Sequence, residues 1–125
     1  MAEKNIKILL AEDDVFLLNM YAEKFRTESF DVIIADNGIK ALKTAKDEIP
    51  DIMILDIMLP KMNGFEVLED IRKDEEIKDT PVIILTNLES AGDVQKAIEL
   101  GAKDYLVKAN YKMKEVLEKI KLAIK

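Results

Sequence analysis

Short apolar runs recur along the chain and set its rhythm. IKILLA (6–11), DVIIA (31–35), DIMILD (51–56), PVIILT (81–86) and KDYLVK (103–108) are rich in β-branched and other apolar residues, the signature of strands buried on both faces. The segments between them have helical spacing. Near 14–28, Leu18, Tyr21, Ala22 and Phe25 share one side, and a later helix begins after Gly64 with Phe65, Leu68 and Ile71. Met113, Val116, Leu117, Ile120 and Ile124 form the stripe of a last amphipathic helix with lysines opposite. Gly101, after DVQKAIEL, predicts a helix stop in the left-handed conformation. Five strands alternating with five helices predict an α/β fold, a doubly wound five-stranded parallel sheet covered on both faces, because each crossover is right-handed.

The 125 residues suit a single domain, 1–125, with no linker and no low-complexity stretch. No apolar run reaches the length of a membrane span, and MAEKNIKILLAEDD lacks the features of a signal peptide, so the cytoplasm is the expected address and no membrane partner is expected. The chain has neither Cys nor His, which excludes disulfides, thiolate catalysis, imidazole metal ligands and the commonest general base. Its net charge of −6 argues against binding nucleic acid, although six lysines against Glu115 and Glu118 make 108–125 locally basic.

In open parallel sheets ligands bind outside the carboxyl ends of the strands. At those ends stand Glu12-Asp13-Asp14, Asp56, Thr86 and Lys108, whereas strand two ends in Asp36-Asn37-Gly38. Each residue has a structural reading too: Asp14 suits a helix N-cap, Thr86 a turn, Lys108 a surface charge. Together they suggest chemistry, since converging carboxylates repel one another unless a cation is present. An all-oxygen set without His or Cys suits Mg²⁺, held by Glu12, Asp13 and Asp56 and completed by a phosphate. Lys108 and the Thr86 hydroxyl would then face phosphoryl oxygens, and Asp56 would be the nucleophile that becomes an aspartyl phosphate.

ILLAEDD (8–14), ILDIMLPKMNG (54–64), VIILT (82–86), GAKDYLVK (101–108) and the lysine-rich last helix make the chain resemble, over essentially its whole length, the receiver domain of bacterial two-component response regulators. The resemblance implies flavodoxin-like strand order 2-1-3-4-5, Asp56 as phosphoacceptor, Glu12 and Asp13 as the acidic metal pocket, and the backbone carbonyl of Met58 as a further metal ligand. It implies Thr86 as the switch hydroxyl, Lys108 as the site lysine and Tyr105 as a switch aromatic, for which plain packing on a neighbour is the alternative. The phosphoryl donor would be a phosphohistidine of a sensor histidine kinase or histidine phosphotransfer protein, docking on the first helix and the loop after Lys108. The readout would be a changed surface of helix four, strand five and helix five that alters binding to an output protein.

Several residues depart from the family pattern. Ala109 replaces the proline that commonly follows the site lysine in a cis peptide; a cis bond to alanine would cost roughly 3 kcal/mol, so the loop is either strained or trans. Asn87 is larger than usual, and Met58 and Leu88 flank the site with apolar bulk, predicting a hindered hydrolytic water and a long-lived phosphorylated state. The chain ends soon after the last helix, which suggests a stand-alone, chemotaxis-regulator-like protein that signals by binding, although a piece of a longer regulator would look the same. Asp93, Glu99 and Asp104 beside the lysines of helix five fit either a symmetric homodimer or a solvated surface. The competing functions are a receiver-like binding module that has lost phosphorylation and, on weaker grounds, a Mg²⁺-dependent aspartate-based phosphatase or phosphotransferase. Against the latter, position 58 is Met where such enzymes often carry a second aspartate. A signalling domain that catalyses only its own phosphorylation and dephosphorylation is the expected reading.

Overall fold

The apolar runs pair into one parallel sheet in the order β2-β1-β3-β4-β5 in a computed structural model that describes residues 5–124. The strands are β1 (Lys7–Ala11), β2 (Asp31–Ala35), β3 (Ile52–Leu55), β4 (Val82–Thr86) and β5 (Asp104–Val107). Between and after them lie helices α1 (Val15–Thr27), α2 (Gly38–Glu48), α3 (Gly64–Lys73), α4 (Ala91–Glu99) and α5 (Met113–Ala123). The register aligns Leu10 with Ile34 on one side and Ile54 on the other, then Ile54 with Ile83. The expected fold and strand order are those observed.

Alternation along each strand divides the core into two layers, since successive side chains point to opposite faces. Ile8, Leu10, Ile52, Ile54, Ile83, Leu85 and Leu106 face α1 and α5, meeting Leu18, Tyr21, Ala22 and Phe25 from one helix and Val116, Leu117 and Ile120 from the other. Leu9, Met53, Leu55, Val82 and Ile84 face the opposite layer of α2, α3 and α4. Each fully buried Leu, Ile or Phe contributes about 2 kcal/mol by leaving water, and β3 and β4 are buried at every position, β1 at all but its first. α4 is the exception among the helices: only Ala97 is buried, assisted by the Lys96 ammonium lying 4.5 Å from the centre of the Phe65 ring.

The helix ends follow local chemistry. Asp14 caps α1 by accepting the Leu17 N–H at 3.0 Å, as expected. Asn37, at the end of β2, caps α2 through the Lys40 N–H, and Asn63 forms a reciprocal capping box with Glu66 at α3. Gly101 has φ +84°, the left-handed stop expected after α4. In α5 the stripe is shifted at its end: Ala123 is buried, while Met113 and Ile124 only border the core. The described residues contain no cis peptide bond, so the Lys108–Ala109 bond is trans, and Lys108–Asn110 form a 3₁₀ turn. Lys119 lies 3.6 Å from Asp104 of the same chain. Among the described residues no helix is long and apolar enough to cross a membrane.

Candidate phosphoacceptor site

The carboxyl ends of β1 and β3 and the turn after β5 bring four of the expected residues, Glu12, Asp13, Asp56 and Lys108, to one edge. Glu12 follows β1, its N–H held by Ala35 O at 3.0 Å; Asp56 follows β3, its N–H held by Ala11 O at 3.1 Å. Both side chains are almost fully buried, with relative exposures of 3% and 5%. Carboxylates so placed need partners. Lys108 supplies one to each: its Nζ donates to Asp56 Oδ2 at 2.7 Å and also to Glu12 Oε1. The trans bond at Ala109 therefore does not keep Lys108 from the site.

Backbone donors complete the cluster. The Met58 N–H donates to Asp56 Oδ1 at 3.1 Å, and the Asp14 N–H donates to Glu12 Oε2 at 3.0 Å. Asp56 is thus held at both oxygens, one by a charge and one by a backbone dipole. Gly64 makes the Met58 loop possible, because a Cβ there would lie 2.3 Å from the Asp56 carbonyl oxygen. Any side chain would push α3 away from the end of β3.

The residues enclose a cleft of about 330 Å³ lined by Glu12, Asp13, Asp14, Leu17, Asp56, Met58, Asn87 and Lys108. Leu17 was not marked by the sequence, and Asp14 was marked only as a cap. Leu17 has no signal in its residue type; it reaches the cleft because α1 starts directly after the acidic run. Asp13 is exposed, and one oxygen each from Glu12, Asp13 and Asp56 lie within 4.8 Å of one another. That donor set fits a hard divalent cation, which prefers oxygen ligands. Met58 contributes its N–H and an exposed side chain to the cleft.

Burial pushes the Glu12 carboxyl above its ordinary range, against the opposing hydrogen bonds from Lys108 and the Asp14 amide. For Lys108, burial acts to lower the pKa, but the bonds to Asp56 and Glu12 outweigh it and the ammonium is held above its ordinary value. The lysine stays charged at neutral pH.

Thr86 and Tyr105 stand apart from this cluster. Thr86 is fully buried at the end of β4, its Oγ1 accepting the Leu88 N–H at 3.4 Å. Tyr105, on β5, donates its hydroxyl to the Leu88 carbonyl at 2.8 Å, and burial followed by the Asp93 and Asp56 charges raises the phenol's pKa. Both residues thus hold opposite sides of one loop residue, Leu88.

The sequence model of the family described as "Response regulator receiver domain" matches residues 8–121. The transcriptional regulatory protein CiaR of Streptococcus pneumoniae is 42% identical over 119 residues, covering 95% of this chain and 50% of that protein. The alkaline phosphatase synthesis transcriptional regulatory protein PhoP of Bacillus subtilis is 34% identical over 125 residues, covering 95% and 51%. The chain spans about half the length of the curated relatives it matches. Among solved structures, a CheY-like receiver domain protein from Methanospirillum hungatei superposes with TM-score 0.90 at 27% identity, covering 97% of this chain and 94% of that one. The receiver domain of the sensor histidine kinase PA1611 from Pseudomonas aeruginosa, crystallised with a magnesium ion in its active-site cleft, gives TM-score 0.87 at 27% identity, covering 97% and 98%.

Proposed function

Because the chain belongs to the receiver-domain family of two-component response regulators, a family of phosphorylation-controlled switches, we propose that Asp56 is its phosphoacceptor. The observation that carries this reading is the convergence on Asp56 of the Lys108 ammonium, the Met58 amide and two further carboxylates at the open edge of the sheet.

The donor is a phosphohistidine on a sensor kinase or phosphotransfer protein, for this chain has no histidine of its own. An Asp56 oxygen attacks phosphorus as the P–N bond breaks, and the imidazole leaves with its electron pair and takes a proton. The protein's work is positioning and charge neutralisation. Lys108 offers positive charge to the incoming phosphoryl oxygens, and the sheet holds Asp56 at a fixed angle. Glu12, Asp13, Asp56 and the Met58 carbonyl would hold Mg²⁺, which when bound screens the negative charge that carboxylates and phosphoryl group bring together.

The signal then passes through Thr86. Its hydroxyl has a proton to donate to a phosphoryl oxygen, and moving toward Asp56 changes its bond to Leu88, and through Leu88 the seat of Tyr105. Loosely buried α4 lies just beyond that loop, so the surface of α4, β5 and α5 changes and an output partner reads it. The compartment is the cytoplasm, where the donor proteins of such relays present their histidines.

The test is intact mass after incubation with Mg²⁺ and a small acyl phosphodonor, with Asp56→Asn in parallel. One phosphoryl group added to wild type alone is the expected result. No addition despite Mg²⁺ binding would replace this reading with a phosphorylation-independent binding module.

A further inference from the structure

The most exposed thioether among the described residues lines the acceptor cleft. The chain has six methionines and no cysteine, so no thiol competes for an oxidant within the molecule. Met53 is fully buried in β3, Met62 and Met113 are half-buried, and Met20 is 39% exposed; Met58 is 58% exposed and is the most accessible thioether among the described residues. It is also the methionine nearest Asp56 in the chain, lining the same cleft and donating its backbone N–H to the acceptor carboxylate. The other exposed thioether, Met20, sits on α1 and lines a neighbouring groove rather than the acceptor cleft.

We propose that Met58 is a redox-sensitive residue of the acceptor site, whose oxidation to the sulfoxide by a hydroperoxide shortens the life of the phosphoryl group on Asp56. The inference rests on Asp56 being the acceptor. In the oxidation the thioether sulfur attacks the terminal peroxide oxygen, the O–O bond breaks, sulfur gives up two electrons, and the other oxygen departs as water or alcohol with the proton. A thiol-dependent sulfoxide reductase reverses the change. Exposure leaves room for the added oxygen, so the backbone need not move.

The consequence follows from polarity. A thioether is a weak hydrogen-bond acceptor and sheds water from the mouth of the cleft, whereas a sulfoxide is polar and accepts strongly. Met58 as synthesised shields the acyl phosphate; Met58 sulfoxide holds water beside it. The acyl phosphate is then lost by attack of that water, releasing inorganic phosphate and regenerating the Asp56 carboxylate. Oxidation thereby erases the stored signal through the Met58 side chain alone, leaving Asp56, Lys108 and the Met58 backbone N–H as they are.

The experiment treats the full chain with limiting hydrogen peroxide, locates sulfoxide by peptide mass, then phosphorylates with the small acyl donor, removes the donor and follows loss of the phosphoryl mass. The expected result is that Met58 is oxidised first and the phosphorylated half-life falls several-fold. Methionine sulfoxide reductase restores that half-life; Met58→Leu abolishes the peroxide effect and Met20→Leu keeps it. Prior oxidation of another methionine, or an unchanged half-life once Met58 sulfoxide has formed, overturns the inference while leaving Asp56 as acceptor. Failure of the untreated protein to take up phosphoryl overturns the acceptor assignment itself and this inference with it.

Discussion

Lys108 and Arg72 close opposite ends of the same sheet, and they are satisfied by different chemistry. Lys108, with a side chain only 10% exposed, bonds two carboxylates at the carboxyl end. Arg72, near the end of α3, donates to four backbone carbonyls at the amino end: Lys78 at 2.8 Å, Thr80 and Gly101 at 2.9 Å, and Leu100 at 3.2 Å. Its partners are neutral and belong to the loops entering β4 and β5. A cation paired with carboxylates can be re-paired by any new charge that arrives; one bound to carbonyls has nothing to exchange. The comparison teaches where this molecule is free to switch and where it is pinned.

Removing each cation is the strongest way to break the comparison. Lys108→Ala leaves two buried carboxylates without their shared partner and should cost about 3 kcal/mol in denaturant unfolding. Mg²⁺ should return part of that loss by supplying a replacement charge. Arg72→Ala should cost about 2 kcal/mol, less because solvent reaches some of the freed carbonyls, and Mg²⁺ should return none of it. If Mg²⁺ rescued both variants alike, the distinction between the two ends would be wrong.

Two smaller effects sharpen it. Gly101→Ala places a Cβ in a left-handed backbone and 3.0 Å from Arg72 Nε, and should cost about 1–2 kcal/mol, measurable as a lower midpoint in urea. The smallest effect concerns Glu12, whose pKa is raised above its ordinary 4.5 by burial. A carboxyl raised in the folded state favours the native protein while protonated, below its unfolded pKa. That stability is lost as pH rises through the folded value. Glu12→Gln should therefore flatten the decline in stability seen on raising pH above 4.5, and the difference between the two unfolding profiles across that window measures it. Lys108, also raised, works in the same direction in a more alkaline window: its contribution is complete below 10.5 and fades as pH climbs through its higher folded value.

Of these two ends, only one is readable in the sequence. The carboxyl end announces itself because Glu12, Asp13, Asp56 and Lys108 are charged residues interrupting apolar runs, and position after a strand specifies where each must lie. The strand boundaries and the buried stripe of α1 are legible for the same reason, since burial imposes periodicity on residue type. The Arg72 clamp leaves no such mark: its four acceptors are main-chain carbonyls, which every residue possesses, and Arg72 itself looks like a charge on the polar side of an amphipathic helix's last turn. Asn37, at the quiet end of β2, is a cap the sequence does not single out, because the start of α2 has few apolar residues to phase it. Leu17 reaches the cleft through the direction in which α1 leaves β1, which only the folded backbone specifies.

The hydrogen bond from Tyr105 to Leu88 has an optical consequence. The chain has no tryptophan and three tyrosines, so its ultraviolet emission comes from phenols alone. Tyr21 is packed beside Phe25 under α1, whereas Tyr105 is bonded to the loop that follows Thr86. A phenol that donates to a carbonyl emits differently from one that has let go, so Tyr105 is an intrinsic reporter of that bond, and any movement of the loop that broke it would be visible with no label attached.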